Sequence, residues 1–167
     1  MPFLLLVLAG AGCARQQPAL VPPVVQEKPQ QVAVQPWEIT AKAPGYKQVR
    51  APGFTFDFPD TWVTTNGMFL RLDPPSDEPN STDDITVTFF QSSFEEMRKE
   101  IGEDEMRKSS IKDVQIAGHE AFYYADNGIK ATYLTYVIKV NDDRVLSFST
   151  GSSESLMKQV IDTLKFD

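Results

Sequence analysis

The sequence predicts an α+β domain: an antiparallel sheet of about six to seven strands packed with a mid-chain helix and a C-terminal helix. Three observations lead there. Phe54, Phe56 and Phe58 alternate with Thr55 and Asp57, the period of two that lines one face of a strand with aromatic rings. Further β-type stretches are separated by short Asn, Asp and Gly turns, and strands joined so tightly run antiparallel. Two serine-led stretches carry apolar residues at helical spacing: Phe94, Met97 and Ile101, then Leu156, Val160 and Leu164.

In chain order, Tyr46 to Arg50 reads as a short strand and Ala51-Pro52-Gly53 as a turn. The aromatic strand follows, and Pro59 ends it because proline has no N–H for the ladder. Trp62 returns a large apolar side chain to the core and begins a strand to Thr65. Asn66-Gly67 is expected as a tight hairpin turn, with Met68 to Leu72 returning. Asp73 to Asp84 is a Pro/Ser/Asp loop, and Ile85 to Phe90 the next strand.

Ser92 or Ser93 caps the mid-chain helix, with Glu95 and Glu96 favoured in its first turn by the helix dipole. Lys112 to Ile116 is a strand, turned by Ala117-Gly118 into Glu120 to Ala125. Asp126-Asn127-Gly128 turns again into a long strand from Ile129 to Val140. Asn141-Asp142-Asp143 leads to the last strand, Arg144 to Thr150. Gly151 breaks it, and a serine-capped helix follows, its stripe widened by Met157 and Ile161. Strands that alternate in this way keep one wet face, so the helices are expected over the other.

Charge narrows the function. The 167 residues carry 16 basic and 23 acidic side chains, net −7. Setting aside Arg15, Lys28, Lys42, Glu27 and Glu38 leaves 13 basic and 21 acidic residues from Tyr46 onward. That balance speaks against nucleic acid as a partner and against adhesion of the domain's own surface to anionic lipid. A single cysteine, Cys13, allows no disulfide within the chain and no multi-cysteine metal site.

Phe3 to Ala9 is an apolar run too short to span a bilayer, followed by Gly10-Ala11-Gly12 and then Cys13. It fits the core of a secretory signal peptide with small residues before the cut. Met1-Pro2 carries no basic residue, which leaves room for a start upstream. Ala14 to Gly45 holds six prolines and six glutamines, a composition that cannot bury enough surface to fold. An extended tether at ~3.1 Å per residue is expected there. Its valines could alternatively form a short partner motif, and Trp37-Glu38-Ile39 could dock on the domain.

Small residues directly before a cysteine resemble a bacterial lipobox, although Gly10 stands where a leucine is usual. The resemblance implies cleavage after residue 12, lipidation of Cys13, and membrane anchoring on the extracytoplasmic side of a bacterial envelope. The alternative is an ordinary signal peptide with an incidental cysteine. The organisation expected is thus a leader at 1–12, a lipid-anchored linker at 13–45 and a domain at 46–167. From Tyr46 to Asp167 the order of elements resembles the PsbP-like fold. The resemblance rests on the aromatic strand ending in Pro59-Asp60-Thr61-Trp62, the mid-chain helix, the Gly118 turn before a β-meander, and the closing helix from Ser153. That group includes a photosystem II extrinsic subunit, a nuclear import factor and bacterial lipoproteins. Its members bind different partners, so the fold does not carry a function with it.

Candidate side chains are few. His119, the one histidine, follows Gly118 and reads as an exposed hairpin residue rather than part of a nucleophilic triad. Asp73, Asp77, Glu78, Asp83 and Asp84 crowd one loop, but their spacing matches no calcium loop and a solvated loop is expected. Glu95, Glu96, Glu100, Glu103, Asp104 and Glu105, mixed with Arg98, Lys99, Arg107 and Lys108, read as a solvated face or a docking surface for a basic partner. Tyr123, Tyr124, Tyr133 and Tyr136 lie on adjacent strands and form either an aromatic ligand groove or ordinary cross-strand packing. No catalytic set, metal site or cofactor is expected. The reading is a non-catalytic binding module for an envelope protein. A carrier of small apolar or aromatic ligands is the alternative, and a hydrolytic enzyme the weaker one.

Overall fold

The computed structural model describes residues 37–76, 83–104, 107, 110–127 and 131–167. The leader, Cys13 and the linker up to residue 36 lie outside them. The described residues form eleven strands and two helices. Glu38–Ala43 (β1), Tyr46–Ala51 (β2) and Phe54–Pro59 (β3) come first, then Val63–Asn66 (β4), Leu70–Asp73 (β5) and Ile85–Gln91 (β6). Phe94–Glu103 is α1. Lys112–Ile116 (β7), His119–Asn127 (β8), Thr132–Asn141 (β9) and Arg144–Thr150 (β10) make the meander. Glu154–Ile161 (α2) and the short strand Lys165–Phe166 (β11) close the chain.

The α+β class holds, but the strands divide into two antiparallel sheets instead of one. The larger has seven strands in the order β4-β5-β6-β10-β9-β8-β7, and the smaller is β1-β2-β3-β11. Pro59 explains the break. The chain turns there, with the Trp62 N–H donating to the Pro59 carbonyl, so β4 starts a new sheet instead of extending the first. The aromatic strand pairs with β2 on one side and with the two-residue β11 on the other.

Trp37 is only 5% exposed, and β1 pairs with β2 from Glu38↔Arg50 to Ala43↔Tyr46. The expected linker boundary at 45/46 therefore falls inside a sheet. Ile39, Lys42 and the buried Trp37 outweigh the composition that makes this segment read as tether. Lys42 pairs with Asp57, which also accepts from the Gln48 side chain at 2.9 Å.

The seven-stranded sheet is the middle layer. On one face, Ile85, Val87 and Phe89 of β6, Ile138 of β9 and Leu146 and Phe148 of β10 meet β3 and α2. Ring contacts cross between the sheets at Phe54–Phe89 (5.2 Å) and Phe56–Phe148 (5.4 Å). Burying each of these side chains contributes roughly 1.5–3 kcal/mol. Thr163, after α2, accepts from the Asp57 N–H at 2.7 Å and ties the helix end to β3. On the other face, Phe122, Val137 and Val145 receive Phe94 and Ile101 of α1. The two helices thus lie on opposite faces, not together on one as expected. Adjacent residues such as Val145 and Leu146 face opposite ways, and both are fully buried, which leaves the centre of the sheet without a wet face.

Two turns shape the surface. Asn66↔Leu70 closes the β4–β5 hairpin around Gly67-Met68-Phe69, a three-residue loop in place of the two-residue Asn66-Gly67 turn, and it leaves Met68 76% exposed. Ala117 (φ 51) and Gly118 (φ 83) join β7 to β8 with both residues at positive φ, the two-residue turn whose twist suits a hairpin. Among the described residues no helix is long and apolar enough to cross a membrane.

Candidate functional site

A hollow of about 590 Å³ lies between the start of α1 and the β7–β8 hairpin. Sequence places it there. Ser93 caps α1 by accepting from the Glu96 N–H at 3.2 Å, which fixes where the helix begins. Phe94 and Ile101 turn inward onto Phe122. Glu95 and Arg98 are then carried to the rim, facing the edge of the sheet. On that edge Asp113 and Gln115 alternate with Val114, and Glu120 stands opposite Gln115 across the turn.

The cleft is lined by charge that is largely paired within itself. Arg98 grips Asp113 with its guanidinium fork, at 2.7 Å and 2.8 Å from Nη2 and 3.1 Å from Nε, and lies 6.0 Å over the Phe122 ring. This pair pins α1 to β7, yet the Asp113 side chain is 70% exposed, so it adds little stability. Lys139 donates to Glu120 at 3.2 Å. That bond first, then the charges of Glu120, Asp142 and Glu95, hold the Lys139 ammonium above its ordinary pKa. The walls carry more carboxylate than cation.

β7 is the last strand of its sheet, so one side of its backbone has no strand beside it among the described residues. A two-residue turn of the Ala117-Gly118 kind closes on a hydrogen-bonded pair, here Ile116 with His119. Pairs alternate from there. Ile116, Val114 and Lys112 therefore aim their backbone groups at β8, while Asp113 and Gln115 aim theirs outward. The free N–H and C=O groups run along the rim of the cleft, with α1 as its opposite wall.

The four tyrosines do not share a face. Tyr123 and Tyr136 are cross-strand partners, with rings 5.4 Å apart, on the side of α2. Tyr124 and Tyr133 lie on the α1 side, where Tyr133 is exposed and Arg107 sits 5.8 Å over the Tyr124 ring. A hollow of about 180 Å³ adjoins Tyr124, floored by Val137 and Ser147 and walled by Met97 and Ile101. That is below the ~300 Å³ at which ligand sites begin.

Tyr136 is buried, and its hydroxyl donates to Glu154 Oε1 at 2.9 Å. Burial, then that bond and the carboxylate charge, push its pKa up to about 12. A phenol whose folded pKa exceeds its unfolded value of ~10 contributes stability that is complete below pH ~10 and lost as pH rises towards about 12. Tyr136→Phe is expected to cost about 1 kcal/mol at neutral pH and to flatten this alkaline loss. Urea melts at neutral pH and between pH ~10 and ~12 measure both effects.

His119 is half-buried rather than exposed. Its Nδ1–H donates to the Lys139 carbonyl at 2.8 Å, and its ring stacks on Phe166 with centroids 3.7 Å apart. β11, which the helical reading of the C-terminus misses, supplies that phenylalanine. In the acidic loop, Arg71 pairs with Asp73 at 2.7 Å and with Asp84 at 3.5 Å, while Asp77 and Glu78 lie outside the described residues. No group of three or more potential metal ligands occurs among the described residues.

No family model matches the sequence, and no curated protein does. Solved structures are similar. One is a crystal structure from Bacteroides thetaiotaomicron VPI-5482, at 16% identity and TM-score 0.48, covering 72% of this chain and 48% of that one. The chain thus spans about half the length of that protein. Another is the solution structure of cyanobacterial PsbP (CyanoP) from Synechocystis sp. PCC 6803, at 9% identity and TM-score 0.45, covering 75% of this chain and 95% of that one.

The cleft is partly legible in the sequence. Asp113, Gln115 and Glu120 alternate about a recognisable turn, which places all three on one face. Arg98, by contrast, reads as one charge of a solvated helix face. Nothing in a separation of 15 residues marks Asp113 as its partner.

Proposed function

We propose that this chain is an extracytoplasmic lipoprotein of the PsbP-like group, anchored through Cys13, whose domain is a non-catalytic module that binds an extended segment of an envelope protein. The observation that carries the binding half is the cleft of about 590 Å³ between α1 and the free edge of β7. An extended segment laid along β7 pairs with the outward backbone groups of Asp113 and Gln115, the strand-addition mode of peptide recognition. Its side chains alternate, so every second one enters the cleft. The excess of carboxylate there, with Glu95 on the rim, favours Lys or Arg at those positions.

Selection from a peptide library on the anchored protein tests this. Enriched peptides should be extended, carry alternate basic residues and compete with one another. Ligands bound equally well after β7 is altered would contradict it. A small-ligand carrier is the second reading, favoured by the same volume, and its site would be this cleft rather than the tyrosines.

The anchor half rests on the apolar run, the small residues and the single cysteine. One acyl chain at ~0.8 kcal/mol per buried CH₂ holds a protein only marginally, whereas the diacylglyceryl group of a lipobox cysteine meets the need for more than one chain. Cys13→Ser with the leader intact is expected to move the protein from the membrane to the soluble fraction, or to stall its processing, with the fold unchanged. Mass spectrometry of the mature N-terminus decides it. An unmodified Cys13, or a cut elsewhere, removes the anchor from the account.

A further inference from the structure

Three of the five large apolar side chains exposed in the described residues lie on one hairpin: Val63 (66%), Met68 (76%) and Phe69 (46%). The first strand and the loop of the hairpin are also uncharged. From Thr61 to Leu70 there is no acidic or basic residue, in a domain that is otherwise rich in carboxylate. The same hairpin marks where the chain joins the domain. The Asn66 side chain donates to the Trp37 carbonyl at 3.4 Å, and Trp37 is held in the core, edge-on to Phe54 at 6.1 Å. Everything N-terminal to residue 37, including Cys13, is therefore connected to the domain beside the loop end of this hairpin.

We infer that the β4–β5 hairpin is a membrane foot, with Met68 and Phe69 entering the lipid interface. The inference rests on the anchor proposed at Cys13. The tether expected between Cys13 and Trp37 is long enough to let this end of the domain reach the bilayer surface. Apolar side chains at a loop tip gain by leaving water there, and an uncharged tip meets no repulsion from anionic headgroups. The acidic remainder of the domain is repelled, which selects this end over the others. A second copy of the chain is the rival occupant. It would also cover the apolar tip, but it would not expose it to lipid.

The single cysteine makes the test direct. Once Cys13 is acylated, Met68→Cys carries the one free thiol of the mature protein. A nitroxide on it, in protein reconstituted into phosphatidylcholine–phosphatidylglycerol vesicles, reports collisions with oxygen, which partitions into lipid, and with a water-soluble nickel chelate. Val63→Cys is a second position on the hairpin, and Ser155→Cys, exposed on α2, is the control. The expected result is a several-fold rise in the oxygen-to-nickel ratio at 68, a smaller rise at 63, and none at 155. Equal aqueous ratios at 68 and 155 overturn the foot, as does a label at 68 shielded from both reagents, which would signal a protein contact. Two labels per Met68→Cys chain would mean that Cys13 is free, so the anchor fails separately.

Discussion

Phe54→Ala is expected to destabilise the protein by about 3–5 kcal/mol, at the upper end of what truncating one side chain costs. Phe54 is fully buried, and its ring meets Trp37, Phe56, Phe89 and Phe166. Those partners come from the segment where the N-terminal chain enters the domain, from both sheets and from the closing β11. Removing the ring leaves a cavity that no single element can collapse to fill, because each is held by its own ladder. The loss corresponds to a fall in melting temperature of roughly 10–20 °C for a domain of this size. Thermal unfolding of the full chain measures it. A change below ~1 kcal/mol would mean that the two sheets do not share the core described.

Gln115→Pro is expected to weaken peptide binding strongly while leaving the fold intact. Proline has no N–H, so it removes an outward donor of β7, and its ring obstructs an incoming strand. The ladder to β8 does not use that donor, and Gln115 is exposed, so stability changes by less than ~1 kcal/mol. Losing about 2 kcal/mol of ladder energy weakens binding roughly 30-fold. Val114→Pro is the contrast. It breaks the β7–β8 pairing itself and should lower stability as well as binding. Isothermal titration against a selected peptide, alongside urea melts, separates the two cases. Equal affinity in Gln115→Pro would remove β7 from the binding site.

What the sequence reveals, and what it hides, follows from range. Alternation within β3 and the stripes of α1 and α2 are local, and they suffice to place Phe54, Phe94 and Val160 in the core. The assignment of strands to sheets is not local. Pairing of Lys165 with Thr55 joins residues far apart in the chain, and no periodicity announces a two-residue strand. β1 is hidden by its neighbours, since a proline-rich composition upstream masks Glu38–Ala43. The tyrosines obey a rule that alternation alone supplies. Tyr123 and Tyr124 are adjacent in a strand and must face opposite ways, so one groove cannot hold all four. The cleft lies between these cases. Its β7–β8 side follows from the turn at Ala117-Gly118, while the Arg98 wall depends on how α1 packs.

Amide hydrogen exchange, read residue by residue with and without a selected peptide, tests most directly whether β7 accepts an extended segment through the outward backbone groups of Asp113 and Gln115. In the free protein those two amides should exchange fast, while Val114 and Ile116, bonded to β8, exchange slowly. With peptide bound, the account predicts that Asp113 and Gln115 become protected and that Val114 and Ile116 change little. Protection that appears instead around Tyr124 and Tyr133, with β7 unaltered, would contradict it.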